Sequence, residues 1–307
     1  MTSKTEKSQG THPDGDIKVD VLHDDDVKKD IVRVQGDYSG AVAKSDPAEI
    51  ALVRKLDFRI MPILWAMYFL NYLDRNALPQ ARLNNLEKDL NLKGLQYNTA
   101  ISILFVGYLL MQVPSNMFLT RTRPSIYMSV CMIIWASISA ATAGVKNYSG
   151  LVACRFFLGF AEAPFYPGAL YLLSIFYTRK ELATRISLLY TGQVVSTGCS
   201  GLIAAATFST LDGARGLAGW QWLFIIEGAV TALVAMFGFF LLPDDPSRTR
   251  WLTEAERALA VERIRRDTVG KQAQGSTWDG LKQACQDPRT WLFCLMQNLH
   301  IPLTPSP

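Results

Sequence analysis

Residues 155–168 read RFFLGFAEAPFYPG, and they decide the fold. They lie inside an otherwise apolar run, residues 151–177, that exceeds the roughly 20 residues a spanning helix needs. Yet the run carries Arg155 and Glu162, which at i and i+7 share one helix face with Gly159 between them and Tyr166 four residues further on. A charge at the centre of a bilayer costs roughly 2.5–3.5 kcal/mol on insertion scales. Two of them on one stripe therefore point to an interior functional site. The Pro167-Gly168 pair is expected to interrupt the helix just beyond them.

Working outward, five more apolar runs of similar length flank this one. They cover residues 60–78, 99–119, 125–145, 186–208 and 220–242. Hydrophobic residues make up 49% of the chain and charged residues 19%, in blocks rather than dispersed, which excludes an ordinary soluble domain. The expected fold class is an all-α polytopic membrane protein. Residues 1–55 form a polar tail without an apolar signal-peptide core, and too little apolar surface to order itself. Residues 243–289 form a polar loop in which Thr253 and Glu256 fit a helix capping box ahead of an amphipathic helix. At 290–307 a seventh apolar run starts and is not completed.

The positive charge is distributed as topology demands. With both ends of the six-span unit on one side, sixteen Lys and Arg fall on that side and five on the other. The positive-inside rule then places the N-terminus and residues 243–289 in the cytosol. The net charge of +4 is modest and sits at the membrane flanks, so no nucleic-acid partner is expected. The five cysteines lack zinc or redox spacing and read as small buried hydrophobes. The sequon at Asn147 sits too close to the membrane to read as a glycan site. No phosphate-cradling glycine loop, HExxH pair or hydrolase elbow is present, so no enzyme activity, cofactor or metal is expected.

Three long strings, LNYLDRNALPQARLNNLEKDL (70–90), RFFLGFAEAPFYPGALYLLSIFYTRKE (155–181) and GWQWLFIIEG (219–228) followed by LLPDDP (241–246), carry a family resemblance. The chain resembles the fungal allantoate/nicotinate permease branch of the anion:cation symporters, within the major facilitator superfamily. The loop FLTRTRPSIYM (118–128) departs from the superfamily's glycine-aspartate motif. The resemblance implies the six-helix N-terminal half of a twelve-span fold, working as a proton-coupled symporter of a small organic anion such as nicotinate or allantoate. It also implies the plasma membrane. Residue by residue, Asp74 and Glu162 would be proton-binding carboxylates, Arg75 would hold the substrate carboxylate, and Arg155 would pair with Glu162 and tune it.

Bidentate arginine–carboxylate geometry and the opposing effects of burial and neighbouring charge make those roles chemically coherent without the family. Asn71, Tyr108, Gln112, Tyr166, Tyr190 and Gln193 read as cavity-lining hydrogen bonders or as ordinary interhelical contacts. Glu227 reads either as a charge at the start of the sixth span or as a further proton-coupling group. In the fifth span Gly192, Ser196 and Ser200 recur every four residues, a pattern of close helix packing. The expected partners are the bilayer, protons and the anion. An alternative stands beside transport: a non-transporting fragment, or a regulatory partner of another copy or of an intact homologue.

Overall fold

The computed structural model describes residues 46–119, 121–267 and 277–300; residues 1–45 of the expected polar tail lie outside them, whereas 47–55 are not tail but the start of the first helix, with Leu52 and Val53 buried. Every regular element among these residues is helical. The helices are α1 (Pro47–Leu83), α2 (Leu86–Asp89), α3 (Gln96–Leu119), α4 (Pro124–Thr142), α5 (Tyr148–Glu162) and α6 (Phe165–Phe176). They continue with α7 (Arg179–Leu211), α8 (Gly219–Leu241), α9 (Glu254–Asp267), α10 (Thr277–Gln286) and α11 (Pro288–His300). Each of the six apolar runs thus becomes membrane-length helix, the fourth in two pieces. Among the described residues, five helical stretches are long and apolar enough to cross a membrane: α3, α4, α5 with α6, α7 and α8.

α1 falls outside that set because polar residues at both ends of its apolar run, Asp57 and Arg59 before it and Asn71, Asp74, Arg75 and Asn76 after it, dilute it. It is instead an inner helix, with Leu56, Ile60, Leu64 and Met67 fully buried, and it packs on α7 and α8. α4 packs on α8, and α3 on α5. Outward faces are apolar and exposed, as at Leu109, Val194, Leu202 and Phe240, which suits lipid contact.

Helix breaks follow local chemistry. The fourth span turns at Ala163-Pro164, not at Pro167-Gly168. Pro167 is the third residue of α6, where a backbone N–H would have no intrahelical partner, so proline is tolerated there. Pro164, by contrast, removes a donor that a continuous helix would have used. Thr178 and Glu181 form a capping box that starts α7. At α9 the expected box is present, with Thr253 N–H donating to Glu256 Oε2 (2.8 Å) and Glu256 N–H donating to Thr253 Oγ1 (3.3 Å). Asn147 caps α5 by accepting from Gly150 N–H (2.9 Å). Gly192, Ser196 and Ser200 are buried, with Gly192 against Trp65 of α1, as their spacing predicts.

Ion pairs fasten α9 to the adjoining end of the bundle. Arg263 bridges Glu49 (2.9 Å) and Glu181 (2.6 Å) and Glu256 meets Lys55 (2.7 Å), while a separate pair, Arg185 with Asp57 (2.7 Å), joins α7 to α1. Burial lowers the pKa of Arg263 while Glu49 opposes it. The expectation of buried cysteines is not met: Cys131, Cys154 and Cys199 are half-buried and Cys285 and Cys294 exposed. In the spans they occupy flanks of helices whose outer faces meet lipid.

Candidate functional site

α1 supplies two neighbouring charges that a helix turns about 100° apart, and the bundle sends them to different places. Arg75 and Asn71, at i+4 and i, face a cavity of about 100 Å³ that they line with Tyr68, Tyr72, Tyr108, Glu162, Tyr166 and Tyr190. Asp74 instead points to α4, where Trp135 Nε1 donates to its Oδ2 (3.1 Å) and Ser139 Oγ donates to its Oδ1 (2.8 Å). Its side chain is buried, so the two donors replace water at a carboxylate that would otherwise be costly to hold.

At the cavity wall Arg75 Nε donates to Glu162 Oε2 at 2.8 Å. Glu162 is fully buried, whereas the Arg75 side chain keeps 21% exposure on the cavity side. The guanidinium lies between two rings, with its Cζ 5.3 Å from the Tyr72 centroid and 5.0 Å from that of Tyr108. Because Nε holds Glu162, the Nη edge remains as the fork suited to a carboxylate. Tyr166 and Tyr190 close another side through a hydroxyl–hydroxyl contact of 2.9 Å. Glu162 Oε1 and Asn71 Nδ2 have no hydrogen-bond partner among the described residues.

Arg155 does not make the expected pair with Glu162. Seven residues along a helix is a rise of about 10.5 Å, whereas Arg75 reaches Glu162 directly from the neighbouring helix. The Arg155 guanidinium lies 5.4 Å from the Phe224 ring of α8, and its Nε and Nη2 have no hydrogen-bond partner among the described residues. It is buried within electrostatic reach of Glu162, Asp74 and Glu227. Glu227 is therefore no helix-start charge at an interface. It lies eight residues into α8, is only 3% exposed, and its Oε2 has no hydrogen-bond partner among the described residues. Three carboxylates and two guanidiniums thus share the interior, divided into a cavity pair, Arg75 and Glu162, and a deeper group, Asp74, Arg155 and Glu227.

Gln112 and Gln193 do not line the cavity. Reading the sequence for charges missed four contributors: Tyr68 and Tyr72 in the lining, and Trp135 and Ser139 around Asp74. Spacing held a signal for each. Tyr68, Asn71, Tyr72 and Arg75 recur at three or four residues on one helix, and Trp135 and Ser139 are an i, i+4 pair of hydrogen bonders in an apolar run.

The Major Facilitator Superfamily profile matches residues 64–300. The MFS transporter prlL of a fungal species is 35% identical over 258 residues, covering 82% of this chain and 52% of the relative. A putative tartrate transporter of Agrobacterium vitis is 34% identical over 223 residues, covering 73% and 49%. Among solved structures, a bacterial homologue of the human lysosomal transporter Spinster, inward-facing and occupied, superposes with a TM-score of 0.57 at 21% identity. That overlap covers 66% of this chain and 46% of the Spinster homologue, and it speaks to the fold alone. The chain spans about half the length of the curated relatives it matches.

Proposed function

Since this chain belongs to the Major Facilitator Superfamily, we propose that it serves secondary transport of a small organic anion, coupled to protons, as in the anion:cation symporters. The observation that carries this reading is the Arg75–Glu162 pair, 2.8 Å apart at the wall of a tyrosine-lined cavity. When Glu162 takes up a proton it loses its hold on Arg75, and the guanidinium fork becomes free for a substrate carboxylate. When the carboxylate leaves, Glu162 sheds the proton and the pair re-forms. Asp74, Arg155 and Glu227 act behind it as a second charged layer in proton coupling. The name of the Agrobacterium relative, a carboxylate transporter, supports an organic acid as cargo; nicotinate, allantoate and tartrate are the compounds to try first. The charge distribution supports a cytosolic N-terminus, and the family resemblance supports the plasma membrane.

Proteoliposomes carrying the chain test this with labelled carboxylates and an imposed proton gradient. Gradient-driven uptake should be lost in Glu162→Gln and in Arg75→Ala while both variants insert normally. Undiminished uptake in both variants would remove these residues from the site. No uptake by the unaltered chain would favour the non-transporting reading.

A further inference from the structure

A second charged cavity, sharing no residue with the one at Arg75, lies at the end of the bundle where α4 begins and α8 finishes. Its volume is about 690 Å³, and Arg123, Arg248 and Arg250 line it together with Ile126, Phe240 and Leu241. Ser125 ties the two helix ends together: its N–H (3.1 Å) and its hydroxyl (2.6 Å) both donate to Asp244 Oδ1. Asp245 is engaged in the same way by the N–H (2.7 Å) and hydroxyl (2.6 Å) of Ser247. Both aspartates at the cavity therefore have donors of their own. The side chains of Arg123, Arg248 and Arg250, in contrast, make no ion pair or hydrogen bond among the described residues, and all three are exposed.

Beside these cations the wall is apolar and open. Ile126 is 42% exposed, Leu241 43% and Phe240 87%. Unpaired arginines beside exposed large apolar side chains suit a helix end at a membrane boundary, where one half meets headgroups and the other acyl chains. The same end of the bundle carries the positive excess in the sequence, which faces the anionic cytoplasmic leaflet.

We propose that this cavity is a binding site for an anionic glycerophospholipid of that leaflet. The phosphodiester would be gripped by the guanidiniums of Arg123, Arg248 and Arg250, which recognise phosphate through paired N–H donors. One acyl chain would run along Ile126, Phe240 and Leu241. The occupant would bridge the start of α4 and the loop after α8, the junction that Ser125 and Asp244 already join. This site does not depend on the transport reading.

The experiment is competitive lipid binding to the purified full chain in detergent, by native mass spectrometry, with phosphatidylglycerol against phosphatidylcholine. At roughly fivefold per arginine near a headgroup, the preference for the anionic lipid should be on the order of a hundredfold. The triple change Arg123→Gln, Arg248→Gln and Arg250→Gln should abolish it. Lys88→Gln, Lys93→Gln and Arg215→Gln, which remove equal charge at the opposite end, should leave it intact. If the first triple variant does not fold, each single arginine change should still lower the preference about fivefold. The proposal is overturned by equal binding of the two lipids, by an unchanged preference in the arginine variants, or by equal loss in the opposite-end control. Displacement of the lipid by inorganic phosphate alone would also overturn it, since the site would then be one for a free anion.

Discussion

Gly159→Ala tests the helix crossing on which the cavity depends. An ideal Cβ at Gly159 would lie 2.0 Å from the Leu104 carbonyl oxygen and 2.8 Å from its carbon, both backbone atoms of α3. Since Cβ atoms essentially never approach closer than 3.0 Å, α3 and α5 must part by about 1 Å at this point. Gly107, from the other side of the same crossing, would place its Cβ 2.2 Å from the Phe156 oxygen, so neither helix can yield locally. Overpacking of this kind costs about 1–3 kcal/mol, offset by under 1 kcal/mol from the better helix propensity of alanine. Gly198→Ala is the matched control, because nothing lies within 4 Å of its Cβ. Denaturant unfolding in mixed micelles should show Gly159→Ala less stable than Gly198→Ala by about 2 kcal/mol. The parting would also carry Tyr108, next to Gly107, away from the Arg75 guanidinium that it contacts at 5.0 Å. Equal stabilities for the two variants would refute the close crossing.

Two other expectations concern polar contacts. Ser139→Ala removes a 2.8 Å hydrogen bond to the buried Asp74 carboxylate and should cost about 1.5–3 kcal/mol. In an Asp74→Leu background most of that cost should vanish, and an equal cost in both backgrounds would show that the bond contributes nothing. At α9, the hydrogen bond from Lys55 and then the Thr253 N–H hold Glu256 below its ordinary pKa of 4.5. Its folded pKa lies below its unfolded one, so this contribution is complete above the ordinary value and fades as pH falls through the lowered one. The difference in unfolding midpoint between the unaltered chain and Lys55→Ala should therefore be present at neutral pH and shrink in acid; a gap that does not change with pH would contradict the bridge.

Spacing and chemistry in the chain make most of the architecture legible. Apolar runs of membrane length end where charged turns begin, and each becomes helix, four of them within a few residues of their expected ends, while α1 begins 13 residues and α7 seven residues ahead of the apolar run, in charged sequence that periodic hydrophobicity does not mark. The Thr253–Glu256 cap and the small-residue face of α7 were equally visible, because they depend on neighbours three or four residues apart. The break in the fourth span was misplaced, since two prolines three residues apart compete and only Pro164 falls where the helix needed a donor. The stripe of Asn71, Asp74 and Arg75 was visible, but it is not one surface: adjacent residues on a helix diverge, and Asp74 leaves the cavity for Trp135 and Ser139.

The sequence by itself determined that this chain builds membrane-length helices and that it buries charges among them. Both follow from local periodicity and from the cost of polar groups in hydrocarbon. Only the tertiary structure decided which charges meet. Partner choice depends on interhelical distance and side-chain reach, so Glu162 belongs to Arg75 on another helix rather than to Arg155 on its own. For the same reason Arg155 turns inward toward Asp74 and Glu227, and three unpaired arginines from two loops, Arg123 before α4 and Arg248 and Arg250 after α8, converge on one cavity.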